Sequence, residues 1–185
     1  MAYVARIFNP AGLACPVILT AKLLRRATWC DKVLKWDDPI SDEMVEKWIV
    51  FLRSLLKLAG VKFPHSLWPE EETVGLPSLV VFCDGAALAF GAAAYIRWEL
   101  KQGGFWSRLI MAKCRISPKE ILSIPRMELN GAVVGTRIKN FLIKETSLKF
   151  EKVYHLLDSS AVLGYVQKER GNLRPYEGVR VGSRL

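Results

Sequence analysis

The sequence predicts an N-terminal helical segment followed by a mixed α/β domain, and three observations predict it. Apolar residues recur at helical spacing up to about residue 59, then in unbroken or alternating strand-like runs from residue 79. Between the two regimes, residues 60–78 hold Gly60, Pro64, Pro69, Gly75 and Pro77 with the acidic triplet Glu70 to Glu72, which is linker composition. Beyond the linker, the patterns run strand, strand, strand, helix, strand, helix. The expected division is therefore a helical connection segment with its linker over residues 1–75, and an α/β domain over residues 76–185.

The N-terminal elements follow from local chemistry. Asn9-Pro10-Ala11-Gly12 is a turn, and from Val17 to Leu34 apolar residues recur at helical spacing with basic residues between them. Ser41 stands as an N-cap, with Asp42 and Glu43 in the first turn of a second helix whose apolar stripe is Met44, Val45, Trp48, Ile49, Leu52, Leu55 and Leu56. In the second part, Leu79 to Asp84 reads as a buried central strand that ends in an acid. Ala89 to Trp98 and Phe105 to Ile116 read as two more strands, joined by the hairpin composition Lys101-Gln102-Gly103-Gly104. Pro125 suits the first position of a helix of roughly five turns that buries Leu129, Val133, Val134, Ile138 and Phe141-Leu142. Phe150 to Leu157 returns to strand pattern and ends at Asp158, Ser159 or Ser160 caps a helix from Ala161 to Lys168, and a Gly/Arg/Pro-containing stretch runs to the terminus.

Composition narrows the function. The chain of 185 residues is 51% hydrophobic and 24% charged, enough apolar material for a real core and too much for a disordered tail. Its formal net charge of +9 favours a polyanionic partner. That charge is uneven: residues 1–75 hold 10 basic and 9 acidic side chains, residues 76–185 hold 17 and 9, so the electrostatic footprint falls on the second part. Cys15, Cys30, Cys83 and Cys114 are far apart without a CxxC pair, which argues against a zinc site or disulfide framework and for a reducing compartment. The apolar run from Ala11 to Leu24 carries Pro16 and Lys22, unlike a signal peptide, and no run reaches the roughly 20 residues of a membrane span. An intracellular, cytoplasmic or nuclear setting without membrane attachment is expected.

Three acids stand out by their place in the pattern: Asp84 at the end of the first strand, Glu128 in the first turn of the long helix, and Asp158 at the end of the fourth strand. Singly, each reads as a cap or a solvated strand-end charge. Together they suit hard divalent cations, since phosphodiester hydrolysis with two Mg²⁺ ions about 4 Å apart needs oxygen ligands beside the scissile phosphate. Lys113, Arg115, Arg126 and Arg137 are the expected phosphate contacts. Trp98, Phe105 and Trp106 read as packing residues before nucleotide-stacking ones. His65 reads as a loop histidine, and His155 as a packed one near Asp158.

The N-terminal blocks Tyr3 to Leu13, Pro16-Val17, Ala21 to Leu24 and Trp36 to Ile40 resemble the segment that follows the polymerase palm in BEL/Pao-type retrotransposons. That segment is named a Pao retrotransposon peptidase, although its place fits a reverse transcriptase thumb and connection. The second part resembles the ribonuclease H domain of the same polyprotein, through Phe82-Cys83-Asp84-Gly85-Ala86, Phe90-Gly91-Ala92, Ala112 to Arg115, Ile124 to Leu129 and Leu157 to Leu163. The resemblance implies a truncated ribonuclease H-like mixed sheet with flanking helices, in which Asp84, Glu128 and Asp158 match three of the four metal-binding carboxylates. It implies two Mg²⁺ ions in an intact member, one or none here, and weak or absent cleavage of RNA in RNA:DNA hybrids. The fourth carboxylate, with the last strand and helix, is expected beyond Leu185. Implied partners are an RNA:DNA hybrid or other nucleic acid and the remainder of the polymerase polyprotein.

The family commonly has Asp at Asn9, Ser or Ala at Gly85, Thr at Leu157 and Trp at Tyr165, while Arg174 to Val181 resembles its next block. Two alternatives stand beside the nuclease. One is a non-catalytic nucleic-acid-binding relic. The other is an aspartic-type peptidase, suggested by Asp158-Ser159-Ser160 but lacking the glycine of the Asp-Ser-Gly motif.

Overall fold

The computed structural model describes residues 7–30, 35, 38–58, 60–120, 122–167 and 174–181. The chain divides into two compact units, Met1–Asn9 with Ala14–His65, and Pro10–Leu13 with Ser66–Leu185.

The first unit holds α1 (Cys15–Cys30) and α2 (Asp42–Leu58). Asn9 Oδ1 accepts the Ala14 N–H at 3.0 Å, which ties the opening turn to the start of α1. The expected continuation of α1 over residues 31–34 lies outside the described residues. Ser41 caps α2 as expected, its Oγ accepting the Met44 N–H at 3.4 Å, and Asp42 and Glu43 lie where the helix dipole favours them. The buried stripe of α2 is narrower than its sequence pattern. Phe51 is buried and Trp48 partly so, whereas Val45, Ile49, Leu52 and Leu56 of the expected face are exposed. The Trp48 indole N–H reaches Thr28 Oγ1 on α1 at 3.4 Å, and its ring meets Phe51 edge-on at 5.8 Å.

The second unit is a four-stranded mixed sheet in the order β3-β2-β1-β4, built from β1 (Thr73–Gly85), β2 (Ala89–Leu100), β3 (Phe105–Ile116) and β4 (Val153–Leu156). β1, β2 and β3 form an antiparallel meander, and β4 returns parallel to β1. This is the predicted α/β class, with β1 inside the sheet. The start of β1 lies in residues that read as linker, because the ladder with β2 is interrupted between Val74 and Ser78. Gly75, Leu76 and Pro77 fall in that irregularity, where a proline without an N–H breaks no regular pairing. At the far end of the hairpin, Gly103 and Gly104 adopt φ of 93° and 83°, the left-handed conformations that a tight turn requires.

The long helix α3 (Ile124–Glu145) covers one face of the sheet. Ser123 is its N-cap and Pro125 lies at its start; its 22 residues make about six turns, one more than the sequence suggests. Leu79, Val81 and Cys83 of β1 and Ala92 and Ala94 of β2 pack with Val134, Ile138 and Leu142 of α3. Phe141 is exposed, contrary to its place in the expected stripe. Nor is β1 buried on both faces, as an unbroken apolar run suggests. Phe82 is 48% exposed, and with Tyr154 and Leu156 of β4 it lies on the sheet face opposite α3.

β4 is shorter than the predicted Phe150 to Leu157, but both flanking residues pack against the core. The pairing extends backwards through hydrogen bonds from Glu151 N to Pro77 O and from Leu79 N to Lys152 O, each 2.9 Å. α4 (Ser160–Gln167) is capped by Ser159, whose buried Oγ accepts the Val162 N–H at 3.3 Å. The stretch read as irregular contains α5 (Pro175–Val181), with proline in the first helical position.

Candidate functional site

The parallel register of β1 and β4 positions the two aspartates. Phe82 stands opposite Leu156, and two residues further along each chain come Asp84 and Asp158. Both lie at the same end of the sheet and both are exposed. Glu128 is half-buried in the second turn of α3, not the first, since α3 starts at Ile124.

The α3 backbone runs directly against the end of β1. A Cβ on Gly85 would overlap the Met127 carbonyl and the Glu128 amide nitrogen, and a Cβ on Gly131 would overlap the Asp84 carbonyl oxygen. Asp84 and Glu128 are thus held on two backbones in van der Waals contact. The glycine at position 85 matches a gap with no room for a side chain. The Asp84 carboxylate accepts its neighbour's amide, Gly85 N to Oδ1, at 2.6 Å.

In kind, these three carboxylates fit a hard divalent cation. Among the described residues, no group of three or more His, Cys, Asp or Glu is gathered closely enough to hold an ion. Nor is any of the three in an ion pair among the described residues. The structure brings together the strand ends and the helix that carry the acids, and leaves the oxygens unclustered.

Of the expected phosphate contacts, Lys113 and Arg115 are exposed on β3, two residues apart and so on one face, and Arg137 is exposed on α3. Arg126 is committed elsewhere. Its Nε donates to Glu177 Oε1 of α5 at 2.9 Å, and its guanidinium lies 4.7 Å from the Tyr176 ring. Tyr176 Oη accepts from Asn130 Nδ2 at 2.9 Å, and Arg180 Nε donates to Asn130 Oδ1 at 2.7 Å while its guanidinium stacks on Tyr176 at 3.5 Å. Burial pushes the Glu177 carboxyl up, but the Arg126 hydrogen bond and the nearby Arg174 outweigh it and hold the group below the ordinary range. Sequence reading missed this network. The available signal was Pro175 opening a segment with Tyr176 and Arg180 one helical turn apart.

The aromatic residues divide. Trp98 is buried and donates its indole N–H to Leu67 O at 2.9 Å, a packing role as expected. Phe105 is exposed under the Arg97 guanidinium at 3.5 Å, and Trp106 lies 4.8 Å from that of Arg108. Arg97 and Phe105 also line a shallow groove of about 200 Å³ near the start of β1, away from Asp84. His155 is a packed residue whose buried Nε2 has no hydrogen-bond partner among the described residues. Cys83 is a buried thiol, its pKa pushed up by burial to about 11, which disfavours the thiolate. No described helix is long and apolar enough to cross a membrane.

No curated protein matches this chain. Residues 1–159 match the family described as the Pao retrotransposon-like RNaseH-like domain. The mixed sheet with its flanking helices accords with that description. With most of its length matched and its sheet of the corresponding class, the chain belongs to the Pao retrotransposon-like RNaseH-like domain family.

Proposed function

We propose that this chain is part of a BEL/Pao-type polymerase polyprotein and acts on RNA:DNA hybrids, cleaving the RNA strand with Asp84, Glu128 and Asp158 as the carboxylates that hold Mg²⁺. The observation that supports this most is the β1–β4 register, which sets Asp84 and Asp158 two residues beyond a paired position, with the Glu128 backbone against Gly85. Bound magnesium would activate a water and neutralise charge at the leaving oxygen. Asp84 contributes a carboxylate oriented by the Gly85 amide, and Lys113 and Arg115 contribute exposed cations for the hybrid's phosphates. Residues 1–75 act as the thumb or connection that leads into the domain, and the peptidase reading has no second aspartate motif to support it.

Cleavage by this chain is expected to be weak. Cleavage of a labelled hybrid is to be measured across a Mg²⁺ titration for the wild-type chain and for Asp84→Asn. Weak cleavage that rises with Mg²⁺ and disappears in Asp84→Asn supports the proposal, and cleavage indifferent to Asp84 would sink it. The exposed Lys113 and Arg115 equally serve a second reading, binding without chemistry. Salt-sensitive hybrid binding with no cleavage at any Mg²⁺ concentration selects that reading.

A further inference from the structure

The contact between α5 and the start of α3 carries an inference about ligand binding. α5 sets Tyr176, Glu177 and Arg180 against Arg126 and Asn130, one turn apart on α3 and flanking Glu128. One buried polar atom in this contact stands without a partner. Glu177 is 4% exposed, yet its Oε2 is buried without a hydrogen-bond partner among the described residues. Docking α5 therefore leaves half a carboxylate unsatisfied, a cost that Arg126, with Arg174 nearby, offsets.

The two sides of the ion pair are unequal. The Arg126 side chain is 32% exposed and can be solvated or re-paired without leaving its helix, whereas Glu177 has only 6% of its side chain open. A phosphate offers the guanidinium fork two oxygens in place of the single Glu177 Oε1, and such bidentate, charge-assisted pairs are the stronger kind. Arg174, exposed and within electrostatic reach of Glu177, is a second cation at the same place. The carboxylate stands where an anion from outside would stand.

We propose that Arg126 and Arg174 form a phosphate-binding site beside Glu128, and that Glu177 of α5 is its resident competitor, displaced when a phosphate group binds. The inference rests on the nucleic-acid reading above and deepens it by naming a site and its gate. Phosphate binding and α5 docking oppose each other by the same factor in both directions. A nucleic-acid backbone and free phosphate both present this chemistry, and the test separates the two sources.

Amide hydrogen exchange of residues 175–181 is to be followed in the full chain as inorganic pyrophosphate is titrated at constant ionic strength. Hybrid binding by wild type, Glu177→Gln, Arg126→Gln and the double variant is measured in parallel. Pyrophosphate should accelerate exchange in α5, Glu177→Gln should bind hybrid about five-fold tighter, and Arg126→Gln should erase that gain. Exchange unchanged by saturating pyrophosphate overturns the proposal even if the variants fold poorly, because that arm uses the wild-type chain. Hybrid affinity unchanged by Glu177→Gln, in a chain that does bind hybrid, overturns it for nucleic acid. If pyrophosphate releases α5 but no hybrid binds, the phosphate site stands as one for free phosphate and the nuclease reading fails.

Discussion

His155 shows how a single residue links the core to solution conditions. Burial, and secondarily the charge of Lys139, hold its imidazole below the ordinary value of 6.5. The unfolded chain therefore takes up a proton at a higher pH than the folded one. Stability is full above about pH 6.5 and falls as the pH drops from there towards the folded pKa, where the loss levels off. Urea midpoints measured from pH 7.5 to 5 should decline in the wild type and flatten in His155→Gln; parallel curves would remove His155 as the cause. Reading the sequence identified His155 as packed because it sits in an apolar run. That its Nε2 is buried without a hydrogen-bond partner among the described residues is decided by the packing around it. Arg126 makes the same point with opposite outcome: a basic residue before Glu128 reads as a phosphate contact, and its partner Glu177 is 51 residues away.

At the scale of elements, the packing of α3 on β1 governs the site. A Cβ on Gly131 would overlap the Asp84 carbonyl oxygen, so Ala there has no space without moving one backbone or the other. Gly131→Ala should destabilise the domain by about 1–3 kcal/mol by chemical denaturation, and should lower any Asp84-dependent cleavage beyond what that loss explains. Unchanged stability would mean that the helix can lift from the strand freely. The helix itself was legible because Pro125 and the apolar spacing agree. α5 was not, since seven residues among Gly, Arg and Pro form too short a helix to stand by propensity. Its hydrogen bonds to α3 through Tyr176, Glu177 and Arg180 supply what propensity lacks.

For the whole molecule, the excess positive charge of residues 76–185 sets how a polyanion is met. Lys113 and Arg115 are exposed on one strand, so each should neutralise one phosphate of a bound duplex. Replacing both with Gln should reduce the slope of log affinity against log salt by about 2, with little change in preference among hybrid sequences. An unchanged slope would show that the hybrid is held by another surface.

The sequence by itself determined the α/β class, the strand order along the chain, a cap at Ser41 and one at Ser159 or Ser160, and the identity of three candidate acids. These depend on periodicity, on local hydrogen bonds and on residue chemistry within a few positions. Tertiary structure decided the rest. It exposed one face of β1, drew the start of that strand out of a linker-like segment and placed Glu128 against Gly85. It also committed Arg126 to Glu177 and kept the three carboxylates from forming a closed cluster. The physical reason is that side-chain burial and charge pairing are set by which distant segments share a surface, and that is fixed only when the parallel β1–β4 pairing and the α3 crossover close the fold.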